Sequence, residues 1–229
     1  MNSNKRVIIG SIVNFRDIGG YPTTNGATKW GKIFRCGLPS NLSADDFEKV
    51  RMLGITTVID LRSGNETVQY PCAFAESDFD YRNIPLTGIH METFDPNDIA
   101  ATYMNGISST DAVPNVMRVI ANTEGAVAFH CAGGKDRTGV VAAILLMLAG
   151  VDDMDIVSDY QVSNTYIQPT INFLKTSFPD MPMHAMMSSP DYMWRMLELF
   201  REKYGSAEKY LAGEGLTSEE IAALRAKLV

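Results

Sequence analysis

The 229-residue chain carries a net charge of −7, with 45% hydrophobic and 21% charged residues, a balance that suits a globular fold large enough to bury a sizeable core. The acidic excess argues against nucleic acid or anionic membrane as a general partner, since both need a basic surface; one local basic cleft stays compatible with it. Three cysteines, Cys36, Cys72 and Cys131, cannot all pair within the chain and match neither a disulfide framework nor a zinc site, so reduced thiols are expected.

The N-terminal stretch MNSNKRVIIGSIVNFRD lacks a signal-peptide pattern. The most apolar run, Val140 to Val151, is about a dozen residues long, short of the roughly 20 of a membrane helix. These features predict a cytoplasmic protein with no stable membrane insertion. No repeat, low-complexity tract or long linker interrupts the chain, which predicts a single domain over 1–229.

In chain order, short extended segments are expected at Asn14–Ile18 and Lys32–Arg35, separated by the turn-rich GGYPTTNG. Ser43 with Asp46 forms a capping pattern that opens a helix ending near Gly54. The β-branched run Thr56–Leu61 reads as a buried strand, and Tyr81–Leu86 as another. A helical region from Asp98 to Asn122, interrupted near Pro114, precedes the apolar strand Ala126–His130. Thr138–Ala149 is apolar on nearly every side, as a helix buried against a sheet would be. Beyond Gly150 the pattern is helical, with starts at Ser189-Pro190 and at the Thr217–Glu220 capping box, which opens a final helix to Leu228. The alternation predicts an α/β fold: a mostly parallel central sheet flanked by helices, with a helical C-terminal half.

Chemistry concentrates in AVAFHCAGGKDRTGVVAAILLMLAG, residues 126–150. A strand delivers His130 and Cys131, a Gly-rich loop follows, and a helix begins near Arg137. Ligands of open α/β sheets bind at the carboxyl ends of strands, where this loop falls. Ala132, Gly133, Gly134, Lys135 and Asp136 are placed to turn their N–H groups inward as an anion nest, beside the positive end of a helix. Such surroundings lower a thiol pKa from about 8.5 into roughly the 3.5–7.5 range, so Cys131 is the candidate nucleophile. Arg137 is placed to return across the loop and bind phosphate oxygens with its planar fork, and Thr138 to donate its hydroxyl to the sulfur. The expected reaction is phosphate-monoester hydrolysis through a phosphocysteine intermediate.

Cys-x5-Arg alone is a weak signal. The preceding His, the paired Gly, the following Thr-Gly, the strand before and the helix after give it weight. A nucleotide-binding P-loop fails because Lys135 is followed by Asp136 rather than Ser or Thr, and a zinc site fails for want of His and Cys at ligand spacing. A non-catalytic phospho-binding module and a thiolate-based arsenate reductase or sulfur transferase are the rival classes.

HCAGGKDRTG resembles the signature loop of the bacterial and fungal tyrosine-protein phosphatase family that carries HCxxGKDRTG. NFRDIGG at 14–20, IFRCG at 33–37, TVIDLRSGNE at 57–66 and the C-terminal YGSAEKYLAGEGLTSEEIAALRAKL are similar to further elements of that family. The resemblance implies a dual-specificity-phosphatase-like fold, no metal or other cofactor, and phosphoproteins or phosphoinositides as substrates. It makes Cys131 the nucleophile and Arg137 the phosphate clamp, and has His130 order the loop. Cys36 stands where the family has Ser, a neutral swap or a thiol able to trap oxidised Cys131; Cys72 is a second such candidate.

The general acid is less determined. Asp136, inside the loop, is favoured, with Asp60 next; Asp95 and Asp98 lie further off and also suit a helix start. Asp136 could instead partner nearby N–H groups or Arg16. Arg16, Asp17, Asp60 and Arg62 are expected to gather near the loop as support or as ordinary salt bridges. Lys135 adds a cation suited to a polyanionic substrate, or is solvated or paired with Asp60. The Met-rich stretch 181–196 reads as core filler or as a flexible lid.

Overall fold

The computed structural model describes residues 5–89, 98–180 and 186–229. Its strands are β1 (Arg16–Asp17), β2 (Pro22–Thr23), β3 (Gly26–Ala27), β4 (Ile33–Cys36), β5 (Ile55–Asp60), β6 (Asp80–Asn83) and β7 (Ala126–His130). The main sheet runs β1-β4-β7-β5-β6; β1 pairs antiparallel with β4 and every other pairing is parallel. β2 and β3 form a separate hairpin. The sheet is the expected mostly parallel one, and helices flank it.

β7 lies at the centre, buried at every position. Val127 and Phe129 join a core with α5 (Asp136–Ala149), while Ala126 and Ala128 join a second core with Phe15, Phe34 and Phe74. Alternate residues thus serve opposite faces, which is why the strand reads as a continuous apolar run. Cys36 of β4 and Asp60 of β5 both register with His130 of β7. Three strand ends therefore finish level, and the chemistry-bearing loop leaves from the middle one.

On the sequence-predicted helices, α1 (Ala44–Met52) carries the Ser43–Asp46 capping box in full. A short helix that the sequence reading did not anticipate, α2 (Gly64–Gln69), follows with its own box, Ser63–Glu66. α3 (Ile99–Ser108) and α4 (Ala112–Asn122) break at 109–111 rather than at Pro114. Pro114 sits in the first turn of α4, where a missing N–H leaves no helical bond unmade. The predicted strand 81–86 is shorter, but its ladder continues through Ile84 N–H to Asp60 O (2.9 Å) and Leu86 N–H to Leu61 O (3.0 Å).

Past Gly150 come α6 (Asp153–Gln161), α7 (Ser163–Tyr166), α8 (Gln168–Ser177), α9 (Pro190–Tyr204), α10 (Ala207–Gly213) and α11 (Ser218–Leu228). The last opens on the Thr217–Glu220 box. Among the described residues no helix is long and apolar enough to cross a membrane.

Candidate active site

The loop between β7 and α5 runs from Cys131 to Lys135. Gly134 has φ +67°, and a Cβ there would lie 2.4 Å from the carbonyl of Cys36 and 2.6 Å from Gly37 N. The two backbones touch, so only glycine fits. Gly133 differs: its φ is not left-handed and a Cβ would meet open space. The paired glycines thus do not share one conformational reason.

The loop carbonyls are held from behind. Asn14 Nδ2 donates to Gly133 O (3.1 Å) and Gly134 O (2.8 Å). Arg35 Nη2 donates to Gly134 O (2.9 Å), and Leu38 N–H to Ala132 O (2.9 Å). In a trans peptide the N–H points opposite to its C=O, so the N–H groups of Gly133, Gly134 and Lys135 turn to the other side, as an anion nest requires.

Those donors are themselves fixed. Arg16 bonds both Asn14 oxygens through Nη1 and Asp159 Oδ1 through Nε at 2.9 Å. Arg35 and Tyr21 also donate to Asp159. Burial pushes the Asp159 carboxyl up, but Arg16 and Arg35 outweigh it and hold the group far below the usual range. Arg16 therefore supports the loop through Asn14 and Asp159; it forms no bond to Asp136. Asp17 stands apart from the loop, accepting from the N–H groups of Gly19 (2.8 Å) and Gly31 (2.6 Å).

Cys131 is 3% and Arg137 7% exposed. Arg137 Nη1 and Nη2 donate to the two carboxylate oxygens of Glu66 at 2.7 and 2.8 Å. This end-on pairing leaves Nε–H and the second Nη2 hydrogen, the side-on fork, for another oxyanion. Burial opposes ionisation of Glu66, but bonds from Arg137 and Ser63 win, drawing its pKa from 4.5 to about 2. Among the described residues the Thr138 hydroxyl is fully buried without a hydrogen-bond partner, so the expected bond to sulfur is not formed in this state.

Beneath Cys131, the His130 ring lies 3.2 Å from Cys131 O through Nδ1 and 3.5 Å from Cys72 Sγ through Nε2. Burial lowers the His130 pKa, so the ring is neutral at physiological pH. Asp60, Cys72 and His130 are close enough together to hold an ion. Asp60, however, accepts from Arg62 Nε, Nη2 and N–H and from Tyr81 OH, and a cation would sit against the Arg62 guanidinium. With both oxygens engaged and no exposure, Asp60 is not placed to protonate a leaving group. Cys36 and Cys72 pack in the second core, whereas Cys131 belongs to the first; all three are free thiols.

Asp136 Oδ1 accepts from Tyr103 OH at 2.5 Å and lies 3.0 Å from Lys135 Nζ. Lys135 is buried and donates to Met187 O at 2.9 Å. It is neither solvated nor paired with Asp60, contrary to those two alternatives. Asp98 caps α3 by accepting from Ala101 N–H, and Asp95 lies outside the described residues. Met193 and Met196 are core residues of α9, and Met186 packs with Ile167 and Ile171; Met181 and Met183 lie outside the described residues.

Sequence reasoning missed Glu66, Asp159, Asn14 and Tyr103. For Glu66 a signal existed, since Ser63-x-x-Glu66 is a capping box placed directly after the β5 strand. Asn14 opens the NFRDIGG segment, though nothing there marks its side chain as a support of the loop, and Asp159 and Tyr103 carry no local mark.

Residues 8–229 match the family model described as the tyrosine phosphatase family. A tyrosine-protein phosphatase of Nostoc commune is 33% identical over 208 residues, covering 82% of this chain and 70% of its own. The triple specificity protein phosphatase PtpB of Mycobacterium tuberculosis is 26% identical over 274 residues, covering 94% and 96%. Among solved structures, TpbA of Pseudomonas aeruginosa in complex with pTyr is 18% identical over 70% of this chain and 80% of that one, with a TM-score of 0.42. The chain belongs to the tyrosine phosphatase family and is a protein-tyrosine phosphatase.

Proposed function

We propose that this single-domain enzyme hydrolyses phosphate monoesters through a phosphocysteine on Cys131, with Arg137 as the phosphate clamp. The observation that carries this is the loop itself: its carbonyls are tied back by Asn14, Arg35 and Leu38, so its amides face the position a phosphoryl group would take after Cys131. The helix N-terminus of α5 adds a positive field.

In the first step the Cys131 thiolate attacks phosphorus, the S–P bond forms and the ester P–O bond breaks. The side-on fork of Arg137 and the amides of Ala132 to Asp136 follow the equatorial oxygens. Asp136 protonates the leaving oxygen. In the second step water attacks phosphorus, Asp136 takes its proton, and sulfur departs towards the unpartnered hydroxyl of Thr138. His130 orders the loop through the Cys131 carbonyl, while Asp60, Arg62 and Arg16 act in its support; no metal or other cofactor enters.

The substrates are phosphotyrosine in proteins, and the triple-specificity name of one relative supports a range reaching phosphoserine and phosphothreonine. Phosphoinositides are the second class. The existing bonds of Lys135 to Met187 and Asp136 favour the protein substrate over a polyanionic head group. A cytoplasmic location accompanies this reading. Rates on a phosphotyrosine peptide and on soluble phosphoinositides, each with wild type and Cys131→Ser, test it. Turnover of the peptide by wild type alone supports the reading, and turnover by neither protein on either substrate refutes it.

A further inference from the structure

Two tyrosine hydroxyls are buried in the core. Tyr103 of α3 and Tyr160 of α6 are 0% and 1% exposed, with rings edge to face at 6.2 Å between centroids. Their hydroxyls lie 2.7 Å apart. Burying hydroxyls costs stability unless each finds a partner. Here the chain of hydroxyls terminates on Asp136 Oδ1, 2.5 Å from Tyr103 OH. Since the proton of Tyr103 is committed to the carboxylate, Tyr160 donates to Tyr103.

The packing is built to allow this. Gly139, in α5 one turn after Asp136, lies where a Cβ would come within 2.9 Å of the Tyr160 ring. Three helices thus converge on one carboxylate oxygen. Among the described residues, the contacts to the Asp136 carboxylate fall on Oδ1, from Tyr103 OH at 2.5 Å and Lys135 Nζ at 3.0 Å.

We propose that Tyr103 is a positioning residue for Asp136, with Tyr160 orienting Tyr103. Resting on the reading of Asp136 as general acid, the assignment gives its two oxygens separate tasks. Oδ1 stays an acceptor held by Tyr103 and Lys135. Oδ2 carries the proton, releases it to the ester oxygen as the P–O bond breaks, and regains one from the attacking water as the S–P bond breaks. Without the Tyr103 hydroxyl the carboxyl group rotates, and the proton is no longer aimed at the leaving group.

The experiment compares Tyr103→Phe, Asp136→Asn and the double variant on phenyl phosphate, a poor leaving group, and p-nitrophenyl phosphate, a good one, with thermal melting of each protein. Tyr103→Phe is expected to lower kcat/KM, which reports the step that expels the leaving group, about tenfold on phenyl phosphate, and to lower it far less on the nitrophenyl ester. In the Asp136→Asn background the same change is expected to add nothing. Equal losses on both esters for Tyr103→Phe, or additive losses in the double variant, overturn the positioning role. Equal losses for Asp136→Asn overturn the acid reading itself, a separate outcome. If Tyr103→Phe melts far below wild type, Tyr160→Phe, which keeps the bond to Asp136 but loosens its donor, carries the test: a smaller, leaving-group-selective loss supports the proposal and an unselective one refutes it.

Discussion

Glu66 and Arg137, 71 residues apart in sequence, meet end-on, each carboxylate oxygen taking one guanidinium nitrogen at 2.7 and 2.8 Å. Glu66 also accepts the Ser63 N–H that caps α2. One side chain therefore anchors Arg137 to a helix start. Glu66→Ala is expected to lower kcat/KM by roughly 10–100-fold by letting the fork drift from its working angle. Glu66→Gln, which still completes the capping box, should lose less. Steady-state kinetics with both variants check this, and unchanged kcat/KM in Glu66→Ala would remove Glu66 from any role in aiming Arg137.

The same pair has a pH signature. The Glu66 pKa is depressed in the folded protein, from 4.5 to about 2, so its stabilisation is fully present above pH 4.5 and is lost as pH falls towards 2. Replacement by Gln should destabilise by about 1–2 kcal/mol at pH 7, and the gap from wild type should narrow below pH 4.5. Denaturant unfolding of both proteins from pH 7 to 3 measures it; a gap that widens on acidification contradicts the pairing.

The paired glycines of the loop separate cleanly. Gly134→Ala drives a Cβ into the Cys36–Gly37 backbone and demands a left-handed φ, so loss of folding or of all activity is expected. Gly133→Ala meets open space and should change stability by less than about 1 kcal/mol. Melting curves and expression yields of the two variants decide it.

Asp159 is the shared carboxylate partner of two fully buried arginines, Arg16 and Arg35. Asp159→Ala leaves both uncompensated and should cost about 3–5 kcal/mol. It should also loosen the loop carbonyls that Asn14 and Arg35 hold. Weaker competitive inhibition by inorganic phosphate, measured where the variant is still folded, reports that second effect.

What could be read in the sequence was what lies contiguous in it. Cys131 through Thr138 form one strand–loop–helix unit, so spacing and glycine content sufficed to place Cys131 and Arg137 on one loop. The helix caps at Ser43 and Thr217 are equally local. The supports of the loop come from elsewhere: Asn14 precedes β1, Arg35 sits in β4, Asp159 in α6 and Tyr103 in α3. Arg35 reaches the loop because β4 pairs with β7 in register, while Asp159 and Tyr103 arrive on helices packed from elsewhere in the chain, and neither strand order nor helix docking is visible to periodicity. α2 was overlooked for a related reason, since its six residues bury no apolar face and carry no hydrophobic rhythm. Asp60 looked like an acid because sequence shows an Asp near the loop but not the Arg62 fork and Tyr81 hydroxyl that occupy it.

The account turns on a covalent bond between phosphorus and the sulfur of Cys131. Rapid acid quench of wild type during turnover of a phosphotyrosine peptide, followed by peptide mass spectrometry, looks for it directly. A phosphoryl group on residue 131, absent in Cys131→Ser, is the predicted result. Active enzyme that never carries phosphorus at that position would contradict it.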